Sequence, residues 1–263
     1  MRIVSYNVNS IRERLPAVRR VVRKYEPDVL CLQETKVVDA LFPRRDLERL
    51  GFDDVVFAGQ KGYHGVAIAS RIPVTRSWSH AVGGNRDKRH LAVEVDGVEI
   101  HDVYVPAGGP LPDPDRNPAF ARKLDFLRAL GRWTTRWPNR KTKPRVLVGD
   151  LNVAPLEHDV WDHRKMRRTI THTEREVALL AEVQRALPWV DVARTFVPEH
   201  EKLFTWWSYR APNWRQVNKG RRLDHAWVSE ALRNRLEGYF VATEVRGWKK
   251  PSDHAPVVFD VKV

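Results

Sequence analysis

Residues 2–35 constrain the fold of this chain more than any other stretch. RIVSYNV (2–8) alternates apolar with small or polar residues and reads as a buried strand. SIRERLPAVRRVVRKY (10–25) follows, with Ile11, Leu15, Val18, Val21 and Val22 at helical spacing. PDVLCLQET (27–35) is a short apolar run opened by Pro27 and closed by polar residues. Strand, helix, strand in this order predicts a βαβ unit and an α/β fold.

The pattern then changes. Between residues 53 and 104, DVVFAG, GVAIAS, VTRSWSHAV, LAVEV and VEIHDVYV are short β-rich runs broken by Gly, Pro and Asp-Gly, and VDGVE predicts a hairpin turn. The spacing predicts a helix over 115–137, a strand at PRVLVGDLN, and a second amphipathic helix over 173–187. Thr173 is its N-cap, with Glu176 three residues on. RLDHAWVS and APVVFDVKV close the chain as strands. No repeat, low-complexity tract or linker interrupts the pattern. One domain over residues 1–263 is expected, with two packed sheets and helices outside.

The lone cysteine, Cys31, rules out an intramolecular disulfide and suits a reducing cytosol. No apolar run approaches the roughly 18–20 residues needed to cross a bilayer. The N-terminal stretch has no signal-peptide core. The expectation is a cytoplasmic protein without membrane contact, and the absence of a targeting extension suits a bacterial or archaeal source. Charge points to its partner: 46 Lys and Arg against 33 Asp and Glu give a net +13. Such a surplus favours a polyanion, nucleic acid first. The basic residues concentrate in HRKMRR (163–168), RWPNRKTKPR (136–145) and RAPNWRQVNKGRR (210–222), two of them interleaved with Trp. Three solvated loops would look the same, but all three clusters are expected to flank the acidic motifs.

Those motifs lie at the ends of the expected strands. Asn7 ends the first and Glu34 the second, and DVYVP carries Tyr104. VLVGDLN ends in Asp150 and Asn152, Asp224 sits in RRLDHAW, and Asp253 and His254 precede the last strand. Singly, each has a plain structural use as turn former, cap or core aromatic. Asp224 is the exception, because a carboxylate at a strand position is costly to bury without a partner, which a histidinium or a metal would supply. Together they form a set of hard oxygen donors with one imidazole, which suits Mg2+ or Mn2+ and not zinc. An Asp-His pair without a Ser or Cys nucleophile indicates an activated water. With a basic surface, metal-assisted phosphodiester hydrolysis follows. Glycoside hydrolysis also uses paired carboxylates but needs neither the basic surface nor the Asp-His pair.

IVSYNVNSIR, PDVLCLQETK, KGYHGVAI, VYVPAGG, VGDLNVAP, FTWWSYR, RLDHAWVS and SDHAPV occur in the order found in the exonuclease III-like abasic-site endonucleases. The chain resembles that branch of the endonuclease/exonuclease/phosphatase superfamily from residue 2 to 261. LQET, GDLN and SDH are superfamily-wide, whereas FTWWSYR is typical of the DNA-repair branch. The resemblance implies a four-layer αββα sandwich of two mixed β-sheets flanked by helices, like DNase I. It implies Glu34, Asn7 and Asp253 around Mg2+, with Mn2+ able to substitute. Asp150 would orient or deprotonate the attacking water with support from Asn152. His254, held by Asp224, and Tyr104 would contact the phosphate. Trp206 and Leu223 match the lining of a pocket for a base-less sugar, with Arg89, Arg210 and Arg221 on the DNA side. The implied partner is double-stranded DNA with abasic sites or damaged 3′ ends, and the implied state is a monomer.

The chain departs from the family pattern around this set. Ala107 stands where many relatives carry an amide, Lys88 where they carry Gly, and His64 where a small residue is usual. Arg221 and Arg210 replace apolar or aromatic residues, and HRKMRR lacks the Asn residues of some relatives. These changes leave open the balance between abasic-site incision, 3′-end trimming and 3′→5′ exonuclease activity. Two alternatives remain: a phosphatase of the same superfamily for small molecules or lipids, and an inactive DNA-binding module.

Overall fold

The computed structural model describes residues 1–211 and 213–263. β1 (Arg2–Asn7) is buried from Ile3 onward, because both of its faces are covered. Ile3 packs toward the other sheet, whereas Val4 and Tyr6 pack against the first helix, α1 (Ile11–Tyr25). Strand alternation thus feeds two cores at once. β2 (Val29–Gln33) pairs parallel to β1, with Ile3 opposite Val29 and Asn7 opposite Gln33. The expected βαβ unit is therefore present.

β3 (Asp54–Ala58), β4 (Val66–Ser70), β13 (Leu236–Val241) and β14 (Val257–Val261) complete this sheet, in the order β13–β14–β1–β2–β4–β3. The second sheet contains β5 (Val74–Trp78), β6 (His90–Val95), β7 (Val98–Val103), β8 (Arg145–Asp150), β9 (Val190–Asp191) and β12 (Asp224–Val228), in the order β5–β6–β7–β8–β12–β9. Its one parallel pair, β7 with β8, is central, like β1 with β2 in the first. A ribbon of β10 (Trp206–Trp207) and β11 (Gly220–Arg221) stands apart. Ile3, Val29, Cys31 and Ile68 meet Val93, Ile100, Val146 and Ala226 between the sheets. The outer face of the second sheet is covered by α3 (Pro118–Thr134) and α5 (Glu174–Ala186) through Phe120, Leu127, Leu180 and Val183. Among the described residues there are also four short α-helices: α2 (Arg44–Glu48), α4 (His163–Met166), α6 (Val192–Phe196) and α7 (Trp214–Val217). The layers run helix, sheet, sheet, helix, as expected.

Local chemistry sets the boundaries. α5 opens on the expected capping box between Thr173 and Glu176. α3 is shorter than expected because Asn117 caps it, accepting from Ala119 N, with Pro118 in the first turn. β5 stops at Trp78 instead of running to Val82, since the His80 N–H donates to the side-chain Nδ1 of His90 on β6 rather than to that strand's backbone. Asp96 and Gly97, both at positive φ, form the two-residue hairpin between β6 and β7. Among the described residues, no helix is long and apolar enough to cross a membrane.

One charge expectation is corrected. The basic cluster 136–145 ends where β8 begins, and Asp150 lies five residues up that strand, roughly 16 Å away. Its Lys143 and Arg145 pair with Glu94 and Glu99. Nearness in sequence here is distance along a strand, so only the other two clusters adjoin the acidic motifs.

Candidate active site

Topology brings the motif residues to one edge. Parallel pairing puts the ends of β1 and β2 side by side, so Asn7 and Glu34 are neighbours. The same holds for β7 and β8, which present Tyr104 and Asp150. Antiparallel β12 places Asp224 opposite Asp150. Antiparallel β14 enters beside β1 with Val257 opposite Ser5, which carries His254 to the same edge. The edge draws on both sheets.

At its centre, Glu34, Asp150 and His254 offer three ligand atoms within 4.8 Å of one another. Asn7 bridges the carboxylates, its Nδ2 donating to Glu34 Oε1 at 3.0 Å and to Asp150 Oδ2 at 2.9 Å. Its Oδ1 accepts from Asn9 N, which fixes the amide orientation. Asn7 therefore faces the centre with nitrogen, not with the oxygen that metal ligation requires. Asp253, also expected at the metal, lies outside the Glu34–Asp150–His254 group and accepts from Asn9 Nδ2 at 3.1 Å and Trp206 Nε1 at 2.9 Å. Asn152 secures Asp150 from behind, through its N–H to Oδ1 and its Nδ2 to Oδ2. His254 donates from Nδ1 to Asp224 Oδ2 at 2.8 Å, and its Nε2 lies 3.7 Å from Asp150 Oδ2.

The electrostatics follow from this packing. Burial alone raises the Glu34 carboxyl, but the Lys36 ammonium, hydrogen bonds from Asn7 and Lys36, and His254 outweigh it and hold it below its ordinary value. Asp150 goes up, through burial first and then through Asp224 and Glu34. His254 also goes up, because Asp224 and Asp150 overcome the burial that opposes its charge. Tyr104 is held protonated by burial and by the nearby Glu34 and Asp150.

Beside the centre lies a cavity of about 420 Å3, bounded by Trp206, Leu223, Arg221, Arg168 and Thr171. Arg221 Cζ stacks 5.0 Å above the Trp206 ring, and its Nη1 donates to Ile170 O and Thr171 Oγ1. Arg89 is not on this surface. It is buried behind Tyr104, with its guanidinium 4.7 Å from the ring and one N–H on the Tyr104 carbonyl. Arg210 is exposed and is not among the residues that line the cavity.

Several neighbours escaped the sequence reading. Lys36 Nζ reaches Glu34 Oε2 at 2.7 Å, and Thr205 Oγ1 donates to Asp224 at 2.6 Å. Ser252 Oγ links the two sides by donating to Asn7 O and accepting from His254 N. Asn9, Ser10, Glu34, Lys36 and Asn152 are all at positive φ, a concentration of strain that marks functional edges. Lys36 follows Glu34 by two residues, and that adjacency was the one signal visible in the sequence.

A carboxylate pair, an imidazole backed by a third carboxylate and a cationic cavity define a hydrolytic centre for phosphate esters. The chain belongs to the Endonuclease/Exonuclease/phosphatase family, which it matches over residues 4–254. It is 30% identical to exodeoxyribonuclease III of Haemophilus influenzae, with both chains covered in full. Among solved structures, it resembles an AP endonuclease from Archaeoglobus fulgidus at 30% identity and a TM-score of 0.93, with complete coverage of both chains. It also resembles a 3′ phosphatase from Neisseria bound to product DNA hairpin, at 32% identity, a TM-score of 0.92 and complete coverage of both.

Proposed function

We propose that this protein is a Mg2+-dependent DNA-repair nuclease. It cuts double-stranded DNA 5′ to abasic sites and clears damaged 3′ ends, including terminal 3′ phosphates, with 3′→5′ exonuclease activity. It acts as a monomer in the cytoplasm. The observation that carries this reading is the placement of Glu34, Asp150 and His254 next to a cavity lined by Trp206 and two arginines. The two similar structures, an AP endonuclease and a 3′ phosphatase bound to product DNA hairpin, agree with it.

The donor set fits a hard divalent cation. Glu34 and Asp150 supply oxygens, and Lys36 offsets part of the negative charge. A bound cation there supplies Lewis-acid neutralisation of the phosphate. The residues of the chain do the rest. Asn7 sets the spacing of the carboxylates. Asp150, held by three donors from Asn7 and Asn152, orients the attacking water and accepts its proton. His254, charged and fixed by Asp224, presents Nε2 to the phosphate as negative charge develops on it. Tyr104 adds a neutral hydroxyl donor. Trp206 and Leu223 receive the sugar that lacks a base, whose extrusion costs least because nothing is stacked there. Asp253 steadies Trp206 through its indole N–H.

The test is incubation of the pure protein with an abasic duplex and with a 3′-phosphate hairpin, in Mg2+ and in chelator. Cleavage of either in Mg2+ and of neither in chelator is expected. Inertness toward both overturns the reading.

A further inference from the structure

Lys123 and Glu176 form an ion pair with neither side chain exposed. Lys123 projects from α3 and Glu176 from α5. A buried pair is a weak stability device, since desolvation offsets its attraction. Its contacts suggest another use.

Lys123 Nζ donates to the backbone carbonyl of Asn152 at 2.7 Å and lies 3.4 Å from that of Ala107. Asn152 is at φ 53°, in the left-handed region that a residue with a side chain rarely adopts. In that conformation its N–H and Nδ2 both reach Asp150, and Nδ2 also reaches Val105 O. Glu176 holds a second such residue. Thr171 is at φ 87°, and its N–H donates to both Glu176 oxygens at 3.0 Å. Thr171 in turn receives Arg221 Nη1 on its hydroxyl and Ala154 N–H on its carbonyl. The Lys123 stem is tightly fitted, because a Cβ on Gly108 would lie 2.9 Å from its Cδ. One ion pair therefore grips both strained residues, one supporting the hydrolytic carboxylate and the other walling the cavity.

We propose that Lys123 and Glu176 are positioning residues of the nuclease, holding the Asp150–Asn152 turn and the Thr171 wall in mutual register. Strain at a functional site persists only where the surroundings over-determine it. This pair is the group that does so for both turns. The proposal rests on the nuclease reading for its kinetic test and on structure alone for its spectroscopic one.

Three variants test it: Lys123→Met/Glu176→Gln, which removes the charges together, Glu176→Gln alone, and Glu176→Gln with Thr171→Gly. For folded double variant, kcat on the 3′-phosphate hairpin is expected to fall about 30-fold or more, since small misplacements of reacting groups are that costly. KM should stay within about threefold, because the surface arginines that grip DNA are untouched. The Asn152 side-chain amide protons, which donate to Val105 O and Asp150 Oδ2, should be protected from exchange in the parent and lose that protection in the double variant. Glycine at 171 takes positive φ without strain, so Thr171→Gly should recover about fivefold of the kcat lost in Glu176→Gln. A double variant with kcat within threefold of the parent and unchanged Asn152 protection reduces the pair to packing. Loss that tracks only the unfolded fraction does the same, as does a lack of recovery with glycine. If the parent cleaves neither DNA, the nuclease reading has failed, and the amide protection still decides the positioning role.

Discussion

Asp224 holds His254 through one oxygen. Oδ2 lies 2.8 Å from His254 Nδ1 and also accepts from Thr205 Oγ1, while Oδ1 meets no donor among the described residues. This contact fixes the proton on Nδ1 and turns Nε2 toward Asp150. Asn at 224 keeps the shape but removes the charge, and its amide nitrogen competes with the Nδ1 proton. Asp224→Asn should lower kcat by about 10²–10⁴ with little change in KM. Single-turnover cleavage of an abasic duplex checks this, and a change confined to KM would assign Asp224 to binding.

Glu34 is held by Asn7 Nδ2 on one oxygen and Lys36 on the other, fewer partners than Asp150 has. Glu34→Ala removes one of two carboxylates near the cation and leaves Lys36 without its counter-charge. Activity should fall by at least about 100-fold, with the Mg2+ concentration for half-maximal rate rising about tenfold. A Mg2+ titration of the initial rate separates the two effects. An unchanged metal requirement would remove Glu34 from the ligand set.

Arg221 puts a guanidinium beside Trp206 and Leu223 in a cavity that Arg168 and Thr171 also line, and its Nε has no partner among the described residues. A cationic donor there favours an anionic or hydrogen-bonding occupant over a bare sugar. Arg221→Leu should raise abasic incision relative to 3′-phosphate removal by about tenfold, the worth of one charged hydrogen bond. Side-by-side kcat/KM values on the two substrates measure it, and an unchanged ratio refutes it.

The edge at which these residues meet was legible because each motif ends a strand, and strand pairing carries such ends together. Glu34 and Asp150 could be read this way, as could the partner that a buried Asp224 requires. Side-chain direction could not. Asn7 turns its nitrogen inward because the Asn9 N–H, in a left-handed turn, takes its oxygen. Arg89 lies behind Tyr104, where a guanidinium on an aromatic face looks in sequence like one on DNA. Lys123 is hidden for another reason: on an amphipathic helix, a charged residue reads as solvent-facing, and only the turns of two distant loops reveal what it grips, while Glu176 reads only as the cap partner of Thr173.

His225 makes the fold sensitive to acid. Burial first, then the Arg222 charge, depress this imidazole to about 4, and its Nε2 donates to Val153 O. The unfolded chain, with an ordinary pKa near 6.5, binds more protons through that window. The stability contributed is thus full above pH 6.5 and is lost as pH falls toward 4. Between pH 7 and 4.5 the loss is about 2–3 kcal/mol. His225→Gln retains a neutral donor and should remove that part of the slope, leaving the share of His90 and His101, which are also depressed by burial. Urea unfolding at the two pH values tests this, and equal slopes in parent and variant would exclude His225.

DNA affinity should reveal which basic clusters touch the backbone. Arg164, Arg168 and Arg175 are exposed along a groove beside the cavity, whereas Arg136 and Lys141 are exposed near the opposite end of β8. Each phosphate contact releases a counterion and contributes about 0.9 to the slope of log K against log salt. Replacing Arg164, Arg168 and Arg175 by Gln should flatten that slope by about 2–3. Arg136→Gln with Lys141→Gln should leave it unchanged, although the loss of charge at that end is comparable. Fluorescence anisotropy of a labelled duplex from low to moderate salt distinguishes the two sets. Equal flattening by both would mean that the duplex spans the length of the second sheet instead of lying along its catalytic edge.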